Sequence, residues 1–152
     1  MKQILLMIAV VALVGCGGKE PAQPSATPSH FEKTKAEAEA GDVVAQSSLG
    51  LMYVNGQGVK QDFKEAFKWC QKAAEQGNAI AQYNLGLMYY NGHGVEQNNV
   101  IAYAWWDIAA TNGNQKAPNN KSIVANEMTP AQITKAGELV KEMVEKNPKL
   151  LK

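Results

Sequence analysis

From residue 43 onward, apolar positions recur with the spacing of helices. Ala45, Leu49, Met52 and Tyr53 fall at i, i+4, i+7 and i+8, which is one face of a helix. Asn55-Gly56 ends that segment, because Gly enters the left-handed conformation of a helix stop without a Cβ penalty. Gly58 makes a second turn, and Val59 is placed to pack back under it. Asp62, with Glu65 three residues later, has the form of a capping box that opens a second helix. Ala66, Trp69, Ala73 and Ala74 make one face of this second helix, and Gly77 stops it. Two glycines stand out. Gly50 and Gly86 sit inside first helices, where Gly costs about 1 kcal/mol relative to Ala. The expected reason is close approach of the paired helix, with the small alanines of that helix as the opposing surface.

The pattern repeats at an offset of 36 residues. Residues 41–76 align with 77–112 without a gap, and 17 of the 36 positions are identical. The shared run is AQxxLGLMYxNGxGVxQ, followed by Ala66, Trp69, Ala73 and Ala74 against Ala102, Trp105, Ala109 and Ala110. A period of this length marks a helical solenoid. Phe31, Ala38 and Gly41 stand 36 residues before Phe67, Ala74 and Gly77, so residues 30–40 read as a half unit. After Asn114 the match weakens. Lys116 to Glu127 has the place of a worn first helix, and Thr129-Pro130 sets an N-cap before Pro at N1. Ile133, Leu139, Val140 and Met143 then mark a final amphipathic helix ending near Asn147-Pro148.

The succession LGxxY, NGxGV, AxxW, AAxxG resembles the Sel-one-like repeat (SLR) family, relatives of the tetratricopeptide repeat. The resemblance implies an all-α fold: a short right-handed α-solenoid of helix-turn-helix repeats, with Thr129 to Lys146 as a C-terminal capping helix. It implies an adaptor that binds other proteins, with the first helices lining the concave side and the second helices forming the outer wall.

The beginning of the chain has a different character. Lys2 precedes eleven apolar residues, Ile4 to Val14. That is too few for a membrane-spanning helix, which needs about 20. The stretch ends in Leu13-Val14-Gly15-Cys16, which resembles the lipobox of bacterial lipoproteins. Residues 1–15 are then a lipoprotein signal peptide and Cys16 the lipidated first residue, with several acyl chains giving stable anchoring. Gly17 after Cys16 implies the outer membrane, facing the periplasm. Gly17 to Ser29 contains three Pro and no large apolar residue. It reads as a tether with a reach of about 20 Å as a flexible coil.

Charge and composition remove several function classes. The chain has 152 residues, with 15 Lys+Arg against 14 Asp+Glu, and every basic residue is Lys. Without Arg there is no bidentate phosphate clamp and no basic nucleic-acid stripe. The two Cys and two His lie far apart in sequence, without the ligand spacing of a structural zinc site. No HExxH, GxSxG, P-loop or SxxK motif is present. No enzyme activity, cofactor or nucleic-acid partner is therefore expected. His93 and Asp107 are read as solvated, and Cys70 as buried. The partner is expected to be another protein or peptide of the envelope, with the membrane reached only through the lipid anchor. The alternatives are an immunity-type lipoprotein that neutralises a secreted effector and, in a different class, an envelope enzyme or enzyme-associated subunit.

The expected contact surface is a second stripe on the first helices. It comprises Val44, Ser47, Leu51 and Val54 in one unit and Ile80, Tyr83, Leu87 and Tyr90 in the next. Tyr83 and Tyr90 replace Ser47 and Val54, so they are the favoured contacts in an apolar groove with polar tips. The competing reading is that these side chains pack between repeats. Trp69 and Trp105, in the same slot of the two units, are expected in the core, with Trp106 under the terminal helix.

Overall fold

The computed structural model describes residues 29–152. The apolar leader, Cys16 and the tether up to residue 28 lie outside the described residues. The helices are α1 (His30–Glu39), α2 (Val43–Asn55), α3 (Phe63–Ala74), α4 (Ala79–Asn91), α5 (Asn99–Thr111), α6 (Ala117–Asn126) and α7 (Pro130–Lys146). A single 3₁₀ turn, Pro148–Leu150, follows, and there is no strand among the described residues. The fold is an all-α solenoid.

Local chemistry sets the helix ends. Asp42 and Asn78 accept from the backbone N–H three residues on, at 2.7 and 2.9 Å, and open α2 and α4. Gly56 and Gly92 close them at φ +67° and +71°, and Gln57 and His93 donate back to Met52 and Met88. Asp62 caps α3 through the N–H groups of Lys64 and Glu65. The expected capping box there is only half made. The Asp62 N–H donates to the Tyr53 carbonyl, and the Glu65 carboxylate pairs with Lys68 instead. The complete box belongs to α7, where Thr129 and Gln132 cap one another.

Each helix up to α6 packs on the next, so that α1 stands to α2 as α3 stands to α4. The same contacts recur at both steps. Phe31 meets Tyr53 edge-on at 5.7 Å, and Phe67 meets Tyr89 at 5.6 Å. The Gln46 side chain donates to the Ala38 carbonyl, and that of Gln82 to Ala74. α6 continues the series against α5, burying Ala117 and Val124. α7 breaks it, lying across α5 with Val140 and Met143 on the cluster that holds Trp105, Ile108 and the α3 alanines. The chain end then hooks back. Leu150 is buried, its carbonyl accepts from Gln82 and Asn112, and Asn147 donates to the Glu75 carbonyl.

Two expectations about packing are corrected. The glycines inside the first helices are indeed close-approach positions, but the side chains that approach are not alanines. A Cβ on Gly50 would come within 2.6 Å of the Cys70 sulfur, and one on Gly86 would strike the Trp106 indole. Cys70 and Trp106 occupy equivalent positions, so one backbone design admits side chains of very different volume. The second correction concerns Trp69. Trp105 is 8% exposed, but Trp69 is only half-buried, against α1 and α2, with the Lys72 ammonium 4.1 Å from its ring. The reason is α7, which covers the outer side of α5 and has no counterpart over α3. Trp69→Ala should therefore cost clearly less than the roughly 3–5 kcal/mol of a buried Trp. Urea melts of Trp69→Ala and Trp105→Ala, compared side by side, check this. Equal losses would show that the α7 cover is without energetic effect.

Cys70 is fully buried, and burial pushes its thiol up to about 12 from an ordinary 9.0. Well below pH 9.0 the thiol is largely protonated in both folded and unfolded chains, so it leaves stability almost unaffected. Above it the unfolded thiol ionises first, and stability falls as pH rises toward about 12. The native chain should resist iodoacetamide at pH 8 and react once unfolded. Alkaline destabilisation should shrink in Cys70→Ala; an unchanged alkaline melt in that variant would contradict the assignment.

Candidate functional site

The second stripe lies on the face where α2 meets α4 and where side chains of α4 reach α6. Its eight positions have different environments. Val44 and Ile80 begin α2 and α4 and are 68% and 55% exposed, while Ser47 is buried. Leu51 and Val54 are half-buried, with Val54 packed against the main core. Tyr83, Leu87 and Tyr90 are also half-buried and pack on the cluster around Trp106. Both tyrosine hydroxyls are engaged within the chain. Tyr83 accepts from the Asn120 side chain at 3.1 Å, and Tyr90 donates to Glu127 at 2.8 Å. This bond to Glu127, with burial, raises the Tyr90 pKa. Both tyrosines are thus held by the α6 region, and a depression of about 180 Å³ remains by Leu87, Tyr90 and Ile123.

Two further depressions share Leu51 and Asn84. One of about 120 Å³ lies between α2 and α4, and one of about 420 Å³ is bounded by Leu51, by Ile80 and Tyr83 of α4, and by Asn114, Gln115 and Lys116 before α6. Asn84 was not singled out by sequence reasoning. It is 9% exposed, and its side-chain nitrogen is buried without a hydrogen-bond partner among the described residues. A buried donor left unpaired costs about 1–3 kcal/mol. The signal that marks it is the departure of Asn84 from Ser48 at the same repeat position.

The remaining chemistry-bearing side chains are structural. His93 is exposed and stacked on Phe63 at 4.3 Å, joining the turn after α4 to the start of α3. Asp107 is not a free solvated carboxylate. It pairs with Lys121 at 2.7 Å, linking α5 to α6, and this bond raises the lysine pKa. No cluster of three or more His, Cys, Asp or Glu is placed to hold a metal among the described residues. No helix among them is long and apolar enough to cross a membrane.

Helix pairs of one 36-residue design, stacked through shared alanine and leucine faces, define a short repeat solenoid. Residues 43–78 and 79–114 each match the Sel1 repeat, and the chain is a Sel1-repeat protein. Sel1-repeat proteins generally mediate protein–protein interaction. The matched units begin two residues later than the sequence offset places them, at the first residues of α2 and α4, with the same period. The chain is similar to a protective antigen present in uropathogenic Escherichia coli strains and displaying an SLR fold. That similarity has a TM-score of 0.75 and 39% identity, covering 79% of this chain and 26% of that one. It is also similar to a Sel1 repeat protein from Oxalobacter formigenes, with a TM-score of 0.55 and 42% identity, covering 57% of this chain and 25% of that one. This chain therefore spans about a quarter of either solved relative. No curated protein matches it.

Proposed function

We propose that this chain is a lipid-anchored interaction module of the bacterial cell envelope that binds another protein through the face of α2 and α4 and catalyses no reaction. The observation that carries this reading is the open seam between α2 and α4. Apolar Leu51, Val54 and Leu87 lie there beside Asn84, whose side-chain nitrogen is buried without a partner among the described residues. The address is supported by the sequence Lys2, Ile4–Val14 and Leu-Val-Gly-Cys16. That one solved relative is a protective antigen agrees with an envelope location.

Two arms test the proposal in cells. Cys16→Ser should leave an unprocessed precursor without acyl label; normal cleavage and labelling of the variant would overturn the anchor. A photo-crosslinking residue at Leu51 should trap a discrete partner, while one at Lys64, on the exposed surface of α3, should not. Adducts from Lys64 alone would place the interaction on the other wall.

A further inference from the structure

The hook shows what one step of the array holds. Residues 147–152 lie over the turn between α3 and α4. The Leu150 carbonyl accepts from Gln82 Nε2 at 2.9 Å and from Asn112 Nδ2 at 2.6 Å. The Lys152 N–H donates to Asn112 Oδ1 at 3.0 Å, and Asn147 donates to the Glu75 carbonyl at 2.8 Å. Gly77 is buried beneath, with the Lys149 carbonyl where a Cβ would stand. The Leu150 side chain is buried in the cluster that contains Ala74, Ala81 and Trp105.

The groups that hold the hook have counterparts 36 residues earlier, at the turn between α1 and α2. No described residue covers that turn. Gly41 has the left-handed backbone of Gly77, φ +100° against +83°, but it is exposed, and a Cβ on it would meet nothing within 4 Å. Gln76 donates to Gln46 at 2.8 Å, as Asn112 donates to Gln82. Gln82 spends both amide hydrogens, on Ala74 and Leu150, whereas Gln46 spends one, on Ala38. Gln76 Oε1 and the Glu39 carbonyl accept no hydrogen bond among the described residues. Ala38, Ala45 and the half-buried Trp69 repeat the floor under Leu150. Lys72 takes the place of Ile108, and its stem lends an apolar wall while its ammonium stays in water. The third step lacks this set, because Pro118 stands where the glutamine would be.

We infer that the step formed by α1, α2 and α3 binds a leucine-bearing segment of another protein in the manner of the hook. The leucine enters over Ala38, Ala45 and Trp69, and its carbonyl accepts from Gln46 Nε2. The N–H two residues on donates to Gln76 Oε1, and an asparagine three residues before the leucine donates to the Glu39 carbonyl. The chain's own hook is held at Gly77, and Gly17 to Ser29 offer no large apolar residue. A second copy would have to vacate the same contacts at its own Gly77, so exchange gains nothing. This site goes beyond the proposed α2–α4 contact and uses none of the residues that line it.

The probe is a synthetic peptide with blocked ends, Asn-Pro-Lys-Leu-Leu-Lys, which copies residues 147–152. In spectra of the labelled chain it should shift the Gln46 and Gln76 side-chain amides and the Trp69 indole, saturating at one peptide per chain. Alanine for the first leucine should weaken the peptide about tenfold or more. Gln76→Ala, at a partly exposed position, should weaken it about fivefold. The peptide variants leave the protein unaltered, so their comparison stands even where a chain variant fails to fold. Absence of saturable shifts would overturn the site, as would equal affinity of the alanine peptide. Shifts at Gln82 and Asn112 in place of Gln46 and Gln76 would show exchange with the hook and overturn it too. In cells, a photo-crosslinking residue at Glu39 should trap a protein through a leucine-bearing segment, whether or not Leu51 traps one. A second copy trapped there would overturn the assignment to another protein.

Discussion

Trp106→Ala should lower the unfolding free energy by about 3–5 kcal/mol, the range for truncating a buried Trp. Trp106 is 2% exposed and sits where α4, α5, α6 and α7 meet, against Val124, Met128 and Ala136. Its indole lies on Gly86, and its Nε1–H donates to the Tyr83 carbonyl at 3.1 Å. No neighbour can fill the space left behind, because the helix beneath presents a glycine. Against the total of about 5–15 kcal/mol typical of a folded domain, the loss is large. Trp106→Cys imitates the first repeat and should recover little, since the helices around Trp106 are set apart by the larger ring. Denaturant melts followed by circular dichroism measure both variants. A loss below about 1 kcal/mol, within the range of an exposed substitution, would show that the indole is not the keystone of this cluster.

A chain ending at Met128 should lose cooperative melting or associate. It lacks α7, so Trp105 and Ile108 are uncovered where Val140 and Met143 packed. Large exposed apolar patches of this kind drive association. It also lacks Leu150, whose carbonyl accepts from both Gln82 and Asn112. Gln82 is wholly buried, and water would have to reach the donor bond that Leu150 leaves unmade. A chain ending at Asn147 keeps α7 and removes only the hook, and its stability should fall between that truncation and the parent. Sedimentation and thermal melts of the three chains decide the matter. A monomer ending at Met128 that melts with the parent would remove α7 and the hook from the stability of the solenoid.

Much of the architecture was legible because each repeat carries its own local instructions. Asp42 and Asn78 sit where an N-cap is needed, and Gly56 and Gly92 where only a left-handed stop fits. The apolar spacing between them puts Leu49, Met52, Leu85 and Met88 in the core. Thr129-Pro130 starts α7 for the same kind of local reason. The stripe on the first helices was also visible as a stripe. The engagement of its two tyrosine hydroxyls was not, because Tyr83 and Tyr90 find Asn120 and Glu127 across 37 residues of chain. The engagement of Asp107 by Lys121 was hidden for the same reason.

The sequence by itself determined the repeat, its period, the helix ends and the likeness to a Sel-one-like array, since all of these depend on residues within one unit. The tertiary structure decided what stands against what. It replaced alanine by Cys70 and Trp106 as the partners of Gly50 and Gly86. It left Trp69 half-covered while sealing Trp105, although both occupy the same slot. It drew Leu150 into the core and left Asn84 without a partner. A repeat pattern makes equivalent positions look alike. Burial and hydrogen bonding depend on the neighbouring unit, and at the ends of a short array the neighbours differ.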